Sequence, residues 1–209
     1  MGGAVVDSGK FDWSQNDKFK SLSQPCGAYH GLNFHEKFGE MAYTLYSHAV
    51  GLRDLGPTMS AMNAYLSITG AETLPLRMQK HADNALVVAK FLEQHDAVEW
   101  VSYAGLPDNP FYSLAQKYCP EGAGAVFTFG VKGGYEAGVK VVDNCQLFSH
   151  LANIGDTRSL IIHPASTTHR QLTEAQQVSA GAGPEVVRLS IGIEDAEDIM
   201  ADLDQALRA

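Results

Sequence analysis

The chain has 209 residues, enough for one domain with a sizeable core plus extensions, and a formal net charge of −9, with 15 Lys and Arg against 24 Asp and Glu. That acidic balance argues against nucleic acid as a partner, because phosphate binding depends on clustered Lys and Arg, and no stretch reaches the ~18 apolar residues of a membrane span. Three widely spaced cysteines, Cys26, Cys119 and Cys145, imply neither a disulfide framework nor a zinc knuckle; with no signal-peptide pattern at the start, the cytoplasm is the expected compartment.

In chain order, residues 3–6 read as the end of a buried strand. Residues 11–32 read as an irregular segment, and loops of that length are usually functional or disordered. Leaving Trp13, Phe19, Tyr29 and Phe34 in water would be costly, so the segment is expected to pack against something, such as a cofactor domain or a neighbouring subunit. A helix over 36–55 places Phe38, Met41, Ala42, Leu45, Ala49 and Leu52 on one face, and Gly56-Pro57 stops it. Pro57 suits the first turn of a second helix, which carries Met59, Met62, Tyr65 and Leu66 and ends at Gly70. A third helix from near Pro75 shows Met78, Ala82, Ala85, Leu86, Ala89 and Leu92 at three- and four-residue steps. Met59, Met62 and Met78 read as core filler.

After Asp96 the pattern changes. Strands over 98–103, 125–131, 150–154, 160–162 and 185–193 alternate with helices over 110–119, 135–146, 174–180 and 196–207. This alternation predicts an α/β sandwich with helices on at least one face of a single sheet. Residues 1–35 thus read as a strand end plus aromatic loop, 36–95 as a helical connector and 96–209 as a C-terminal α/β domain, with no internal repeat.

The most informative residues lie in that last part. In Glu185-Val-Val-Arg-Leu-Ser-Ile-Gly-Ile193, Val187, Leu189 and Ile191 share one face of a strand and Arg188 takes the other. A guanidinium in an apolar strand needs an anion, and its planar fork suits a carboxylate or phosphate. A local salt bridge to Glu194 or Asp195 would serve equally well on spacing alone. His163, His169 and Asp156 fit neither a helix face nor a zinc loop, so no metal site is expected. His30 and His35 could titrate near neutrality, although loop histidines usually make ordinary hydrogen bonds. The Gly-rich stretches 122–124 and 130–138 lack the strand-loop-helix order of a phosphate cradle.

Three stretches together resemble the Cys/Met-metabolism (transsulfuration) enzymes that use pyridoxal phosphate: Gly2-Gly-Ala-Val-Val-Asp-Ser-Gly9, Glu72-Thr-Leu-Pro-Leu-Arg-Met78, and the pair His163-Pro-Ala-Ser-Thr-Thr-His169 with Arg188-Leu-Ser-Ile-Gly-Ile-Glu-Asp195. The nearest branch looks like the O-acetylhomoserine sulfhydrylases. The resemblance implies the C-terminal part of an aspartate-aminotransferase-like fold, with Arg188 and Asn153 holding the substrate's α-carboxylate and Thr167 and Thr168 on the segment that approaches it. It implies γ-replacement, in which acetate leaves O-acetylhomoserine and sulfide or a thiol adds, in homocysteine and methionine biosynthesis. The family's cofactor-anchoring lysine lies shortly before the Gly-Gly strand, and its ring-stacking aromatic and ring-nitrogen aspartate lie further upstream. None of them has a counterpart in these residues, so no catalytic or cofactor-binding residue is expected in this chain, which should be inactive without an N-terminal pyridoxal-phosphate domain. Lys10, flanked by acidic residues, makes a poor substitute. Relatives form tetramers, which implies a homo-oligomer. A noncatalytic amino-acid-binding or subunit-interaction module, or part of a sister γ-lyase or γ-synthase, are the alternatives.

Overall fold

The computed structural model describes residues 2–209, and the chain divides into two compact units, Met1–Glu72 and Thr73–Ala209. The division falls inside the stretch read as a helical connector.

In the first unit, residues 3–6 form no strand, and Val5 and Val6 are 77% and 93% exposed. A strand exists only through hydrogen bonds to a neighbour, and none pairs with this segment among the described residues. The long segment after it is more ordered than its composition suggests. It contains a 3₁₀ turn at Asp17–Phe19, helix α1 (Lys20–Ser23) and a second 3₁₀ turn at Gly27–Tyr29, closed by a bridge between Cys26 and Leu32. Helices α2 (Phe34–Phe38) and α3 (Ala42–Tyr46) follow. Its aromatics do pack, but on this unit's own helices: Trp13 stacks on Tyr43 at 5.5 Å between ring centroids, and Phe34, 1% exposed, meets Tyr29 and Tyr46 edge-on.

The continuous helix expected over 36–55 is broken. Gly39, at φ +51° and ψ −120°, ends α2 in a positive-φ conformation that few other residues adopt. A 3₁₀ turn (Gly39–Met41) leads into α3, which passes into a π-helical stretch, Ser47–Asp54, where Leu55 N–H reaches back five residues to Val50 O. Helix α4 spans Ala61–Glu72, so it neither begins at Pro57 nor ends at Gly70. Gly70 is tolerated inside the helix, where glycine costs about 1 kcal/mol relative to alanine without forcing a stop. Met62, Tyr65, Leu66 and Ile68 are each about 60% exposed or more, and Met59 and Met78 are 39% and 36% exposed, so these methionines do not fill a core. Helical spacing shows that a face is apolar; what covers it is decided elsewhere.

The second unit is the α/β layer the alternation predicts. Helix α5 (Leu74–Glu93) has Pro75 in its first turn and buries Ala85, Val88, Ala89 and Leu92. Strand β1 (Val98–Ser102), helix α6 (Tyr112–Tyr118), strand β2 (Val126–Val131), helix α7 (Gly134–Asn144), strands β3 (Ser149–His150) and β4 (Leu160–Ile162), helix α8 (Glu174–Ser179), strand β5 (Val186–Ser190) and helix α9 (Ala196–Arg208) follow. The sheet order is β1-β2-β5-β4-β3, antiparallel except for β3 beside β4. One face carries Phe127, Phe129, Val131, Val187, Leu189 and Ile191 into a core with α5, α7 and α9, where Ile199 and Leu203 are fully buried. On the other face the Trp100 indole lies so close over Gly130 that a Cβ there would run into it.

Of the strand expected over 150–154 only His150 lies in a strand, since β3 (Ser149–His150) pairs with just Leu160 and Ile161 of β4. A returning loop replaces the rest. Strand β5 likewise ends at Ser190: Ile191 N–H still donates to Ala125 O, but Gly192 N–H turns to the Ser159 hydroxyl. Asp202 of α9 accepts from the backbone N–H groups of Gln146, Leu147 and Phe148 at 2.8–3.3 Å, which ties the chain after α7 to α9.

Candidate functional site: the Arg188 face of the sheet

Strand β5 lies at the centre of the sheet, so Arg188 is flanked on both sides, by Thr128 of β2 and by Ile162 of β4. Every other residue of β5 is buried and Arg188 is half-buried, which matches the alternation read from the sequence. Its guanidinium has no hydrogen bond or ion pair among the described residues. Neither local acid forms an ion pair with it. Glu194 accepts from Ser159 N–H at 2.7 Å and from the Ser159 hydroxyl at 3.0 Å, and Asp195 is exposed at the start of α9. A half-buried cation with five N–H donors and no acceptor is poised for an external anion.

The other expected residues reach this face by two routes. Strand β4 ends beside Arg188, and the chain turns at once into His163-Pro-Ala-Ser-Thr-Thr-His169. Buried His163 anchors that turn: its Nε2 bonds Pro184 O at 2.8 Å, its Nδ1 lies 3.0 Å from the Ser166 hydroxyl, and Tyr135 packs edge-on against its ring. Thr167 donates its hydroxyl to His163 O at 2.8 Å, so it shapes the turn, while Thr168 is exposed with its hydroxyl 2.9 Å from His169 Nδ1. Asn153 lies in the exposed loop from β3 back to β4, where Gly155 turns at φ +72° and Asp156 accepts from Arg158 N–H. The next two residues, Ile154 and Gly155, line a cavity of about 430 Å³ together with Val126 of β2. Val126 pairs with Ser190, two residues along from the Thr128–Arg188 pair and therefore on the same face. The loop carrying Asn153 thus lies at the end of β2, next to Val126.

Two residues missed in the sequence hold this strand in place. His81 and Asn84 occupy the apolar face of α5 and are nearly inaccessible. His81 Nδ1 lies 2.5 Å from Ile191 O, and the Asn84 amide donates to Gly192 O at 3.1 Å and Glu194 O at 2.7 Å. They clamp the end of β5 to α5. The signal was present, since polar residues three apart on an apolar helix face require buried partners.

All nine lysines of the chain are exposed, Lys10 included. None has the desolvated setting that tunes a lysine for covalent cofactor chemistry. Among the described residues, no three His, Cys, Asp or Glu side chains converge as metal ligands.

The family model described as Cys/Met metabolism PLP-dependent enzyme matches residues 1–208. The chain belongs to this family. Among curated members it is 49% identical over 217 residues to the O-acetyl-L-homoserine sulfhydrylase of Leptospira meyeri, covering 100% of this chain and 49% of that protein. It is 47% identical over 208 residues to the homocysteine synthase of Schizosaccharomyces pombe, covering 99% and 48%. The chain spans about half the length of the curated relatives it matches. A crystal structure of an O-acetylhomoserine (thiol)-lyase from Campylobacter jejuni, with N'-pyridoxyl-lysine-5'-monophosphate, superimposes with a TM-score of 0.83 at 40% identity, over 94% of this chain and 47% of that one. The α/β unit is the C-terminal part of the aspartate-aminotransferase-like fold used by this pyridoxal-phosphate family.

Proposed function

We propose that the chain forms the amino-acid-binding part of a pyridoxal-phosphate-dependent O-acetylhomoserine sulfhydrylase, in which acetate at the γ carbon is replaced by sulfide or a thiol. The unpartnered Arg188 guanidinium carries this reading. It grips the α-carboxylate through two parallel N–H bonds, the Asn153 amide adds a donor from the adjoining loop, and the turn bearing Thr167 and Thr168 walls the site beside β4. These groups bind and orient the substrate, which fixes the carbons that react. The cofactor, when bound, supplies the electron sink that stabilises charge on those carbons. The lysine that anchors it is proposed to lie outside the described residues, in the part of the enzyme these relatives possess in addition. Exposed apolar residues of α4 support assembly with further protein surface, in keeping with a homo-oligomer.

The test is Arg188→Leu in the cofactor-loaded enzyme. Binding of O-acetylhomoserine is expected to weaken by more than tenfold, since a buried charge-assisted pair is worth about 2–5 kcal/mol. Unchanged substrate affinity overturns the assignment. Substrate binding without any homocysteine formation in that enzyme would point instead to a noncatalytic amino-acid-binding module.

A further inference from the structure

The two groups proposed to hold the substrate carboxylate stand on separate pieces of chain, Arg188 on β5 and Asn153 on the loop between β3 and β4. A two-point grip tolerates a displacement of only about 0.5 Å, so one piece must be fixed against the other. Beyond the end of β5, residues 192–194 cross the return of that loop, residues 157–159, and hydrogen bonds join the two. Ile193 N–H donates to Thr157 O at 2.9 Å, and Gly192 N–H donates to the Ser159 hydroxyl at 2.9 Å. The Glu194 carboxylate takes both donors of Ser159, the N–H at 2.7 Å and the O–H at 3.0 Å, one on each oxygen. Ser159 is fully buried. The crossing is so close that a Cβ on Gly192 would run into the Glu194 carboxylate, Thr157 O and the Arg158 backbone.

We propose that Glu194 is a positioning residue for the substrate carboxylate: by holding Ser159, it sets the Asn153 loop against the strand that carries Arg188. The proposal rests on the amino-acid-binding reading above and goes beyond it by giving a role to a residue that acts only through those two. A carboxylate suits the task, because Ser159 presents two donors and an ionised carboxylate only accepts. Bonds to it are shorter and stronger than those between neutral groups. The Ser159 hydroxyl donates to Glu194 while it accepts from Gly192, and linked bonds of this kind reinforce one another. The crossing is itself anchored on both sides. The Asn84 amide of α5 donates to Gly192 O and Glu194 O, and Ser149 N–H of β3 donates to Ser159 O at 2.9 Å. The loop has little burial of its own to hold it, since residues 151–155 are all exposed. Its place is therefore set where it closes, at Ser159.

The experiment compares Glu194→Ala with the unaltered sequence in the cofactor-loaded enzyme, using O-acetylhomoserine and 3-aminopropyl acetate, the same molecule without its α-carboxylate. Affinities are read from the change in cofactor absorbance. O-acetylhomoserine is expected to bind about fivefold more weakly or worse, and 3-aminopropyl acetate to change by less than about twofold. A merely structural role would weaken both ligands alike, so an equal loss, or no loss at all, overturns the proposal. Because Glu194 acts through the grip, Glu194→Ala on an Arg188→Leu background should cost less than about twofold further, and a fully additive loss overturns it too. Should Glu194→Ala fail to fold, Glu194→Gln keeps the shape and one acceptor for Ser159 N–H. It should weaken O-acetylhomoserine by about two- to threefold with the same ligand preference, and no preference overturns the proposal. Arg188→Leu alone tells the two failures apart. Unchanged O-acetylhomoserine affinity there overturns the amino-acid-binding reading and this proposal with it, whereas a loss there with none in Glu194→Ala overturns the positioning role only.

Discussion

At the scale of single residues, burial decides which titratable groups react. Cys145 is held among apolar neighbours, and this burial, with the nearby Asp202 carboxylate, pushes its thiol up to about 12. Cys119 is exposed. Iodoacetamide at pH 8 is therefore expected to modify Cys119 and spare Cys145 in the folded chain, read by peptide mass mapping, because only the thiolate attacks. Equal labelling of the two would contradict the burial. Tyr103 shows the same effect: burial first, then the Asp83 charge, raises its hydroxyl to about 12 while it donates to Gly124 O at 2.8 Å. Both groups are neutral when protonated, and the folded state holds their protons more tightly than the unfolded chain, with its ordinary values of 9.0 and 10.0. Their contribution to stability is fully present below about pH 9 and is lost as pH rises toward 12. Urea midpoints that stay level from pH 10 to 12 would contradict this. Arg188 is the residue-scale counterpart in the site, and its strand position and face were both legible because alternation is a local property.

At the scale of elements, short polar clamps position the apolar parts. Asp202 is nine-tenths buried and satisfies three consecutive N–H groups after α7. Asp202→Ala leaves those donors without an acceptor in a poorly hydrated place and is expected to destabilise the chain by about 2–3 kcal/mol. An unchanged urea midpoint would show that water replaces the carboxylate. Helices α5, α7 and α9 were readable from periodicity, as were β1, β2, β4 and the middle of β5. The helix over 36–55 was not, because Gly39 at positive φ and the π-helical stretch after α3 break a pattern whose apolar spacing remains helical throughout. The strand over 150–154 failed for a different reason. Its length depends on how many residues β4 offers as partners, and no feature of 150–154 reports that. His81 and Asn84 were overlooked because their partners, Ile191, Gly192 and Glu194, lie about 110 residues away.

At the scale of the whole molecule, the exposure of every lysine makes a prediction about the cofactor. Incubation of the purified chain with pyridoxal phosphate followed by borohydride reduction is expected to give no stoichiometric adduct at a single lysine, read by intact mass and peptide mapping. A single-site adduct would mean that the chain carries its own anchor. The sequence by itself determined the family, the α/β class of the second unit and the face on which Arg188 stands. Those properties are written in residue identity and short-range spacing, which survive without knowledge of neighbours. Tertiary structure alone decided that Glu194 bonds Ser159 and forms no ion pair with Arg188 among the described residues. It also decided that the aromatic segment packs on its own helices, that residues 3–6 have no strand partner among the described residues, and that the His81 ring is clamped to Ile191 O. Each of these depends on which groups far apart in the sequence meet, and that is fixed only by the packing of the whole chain.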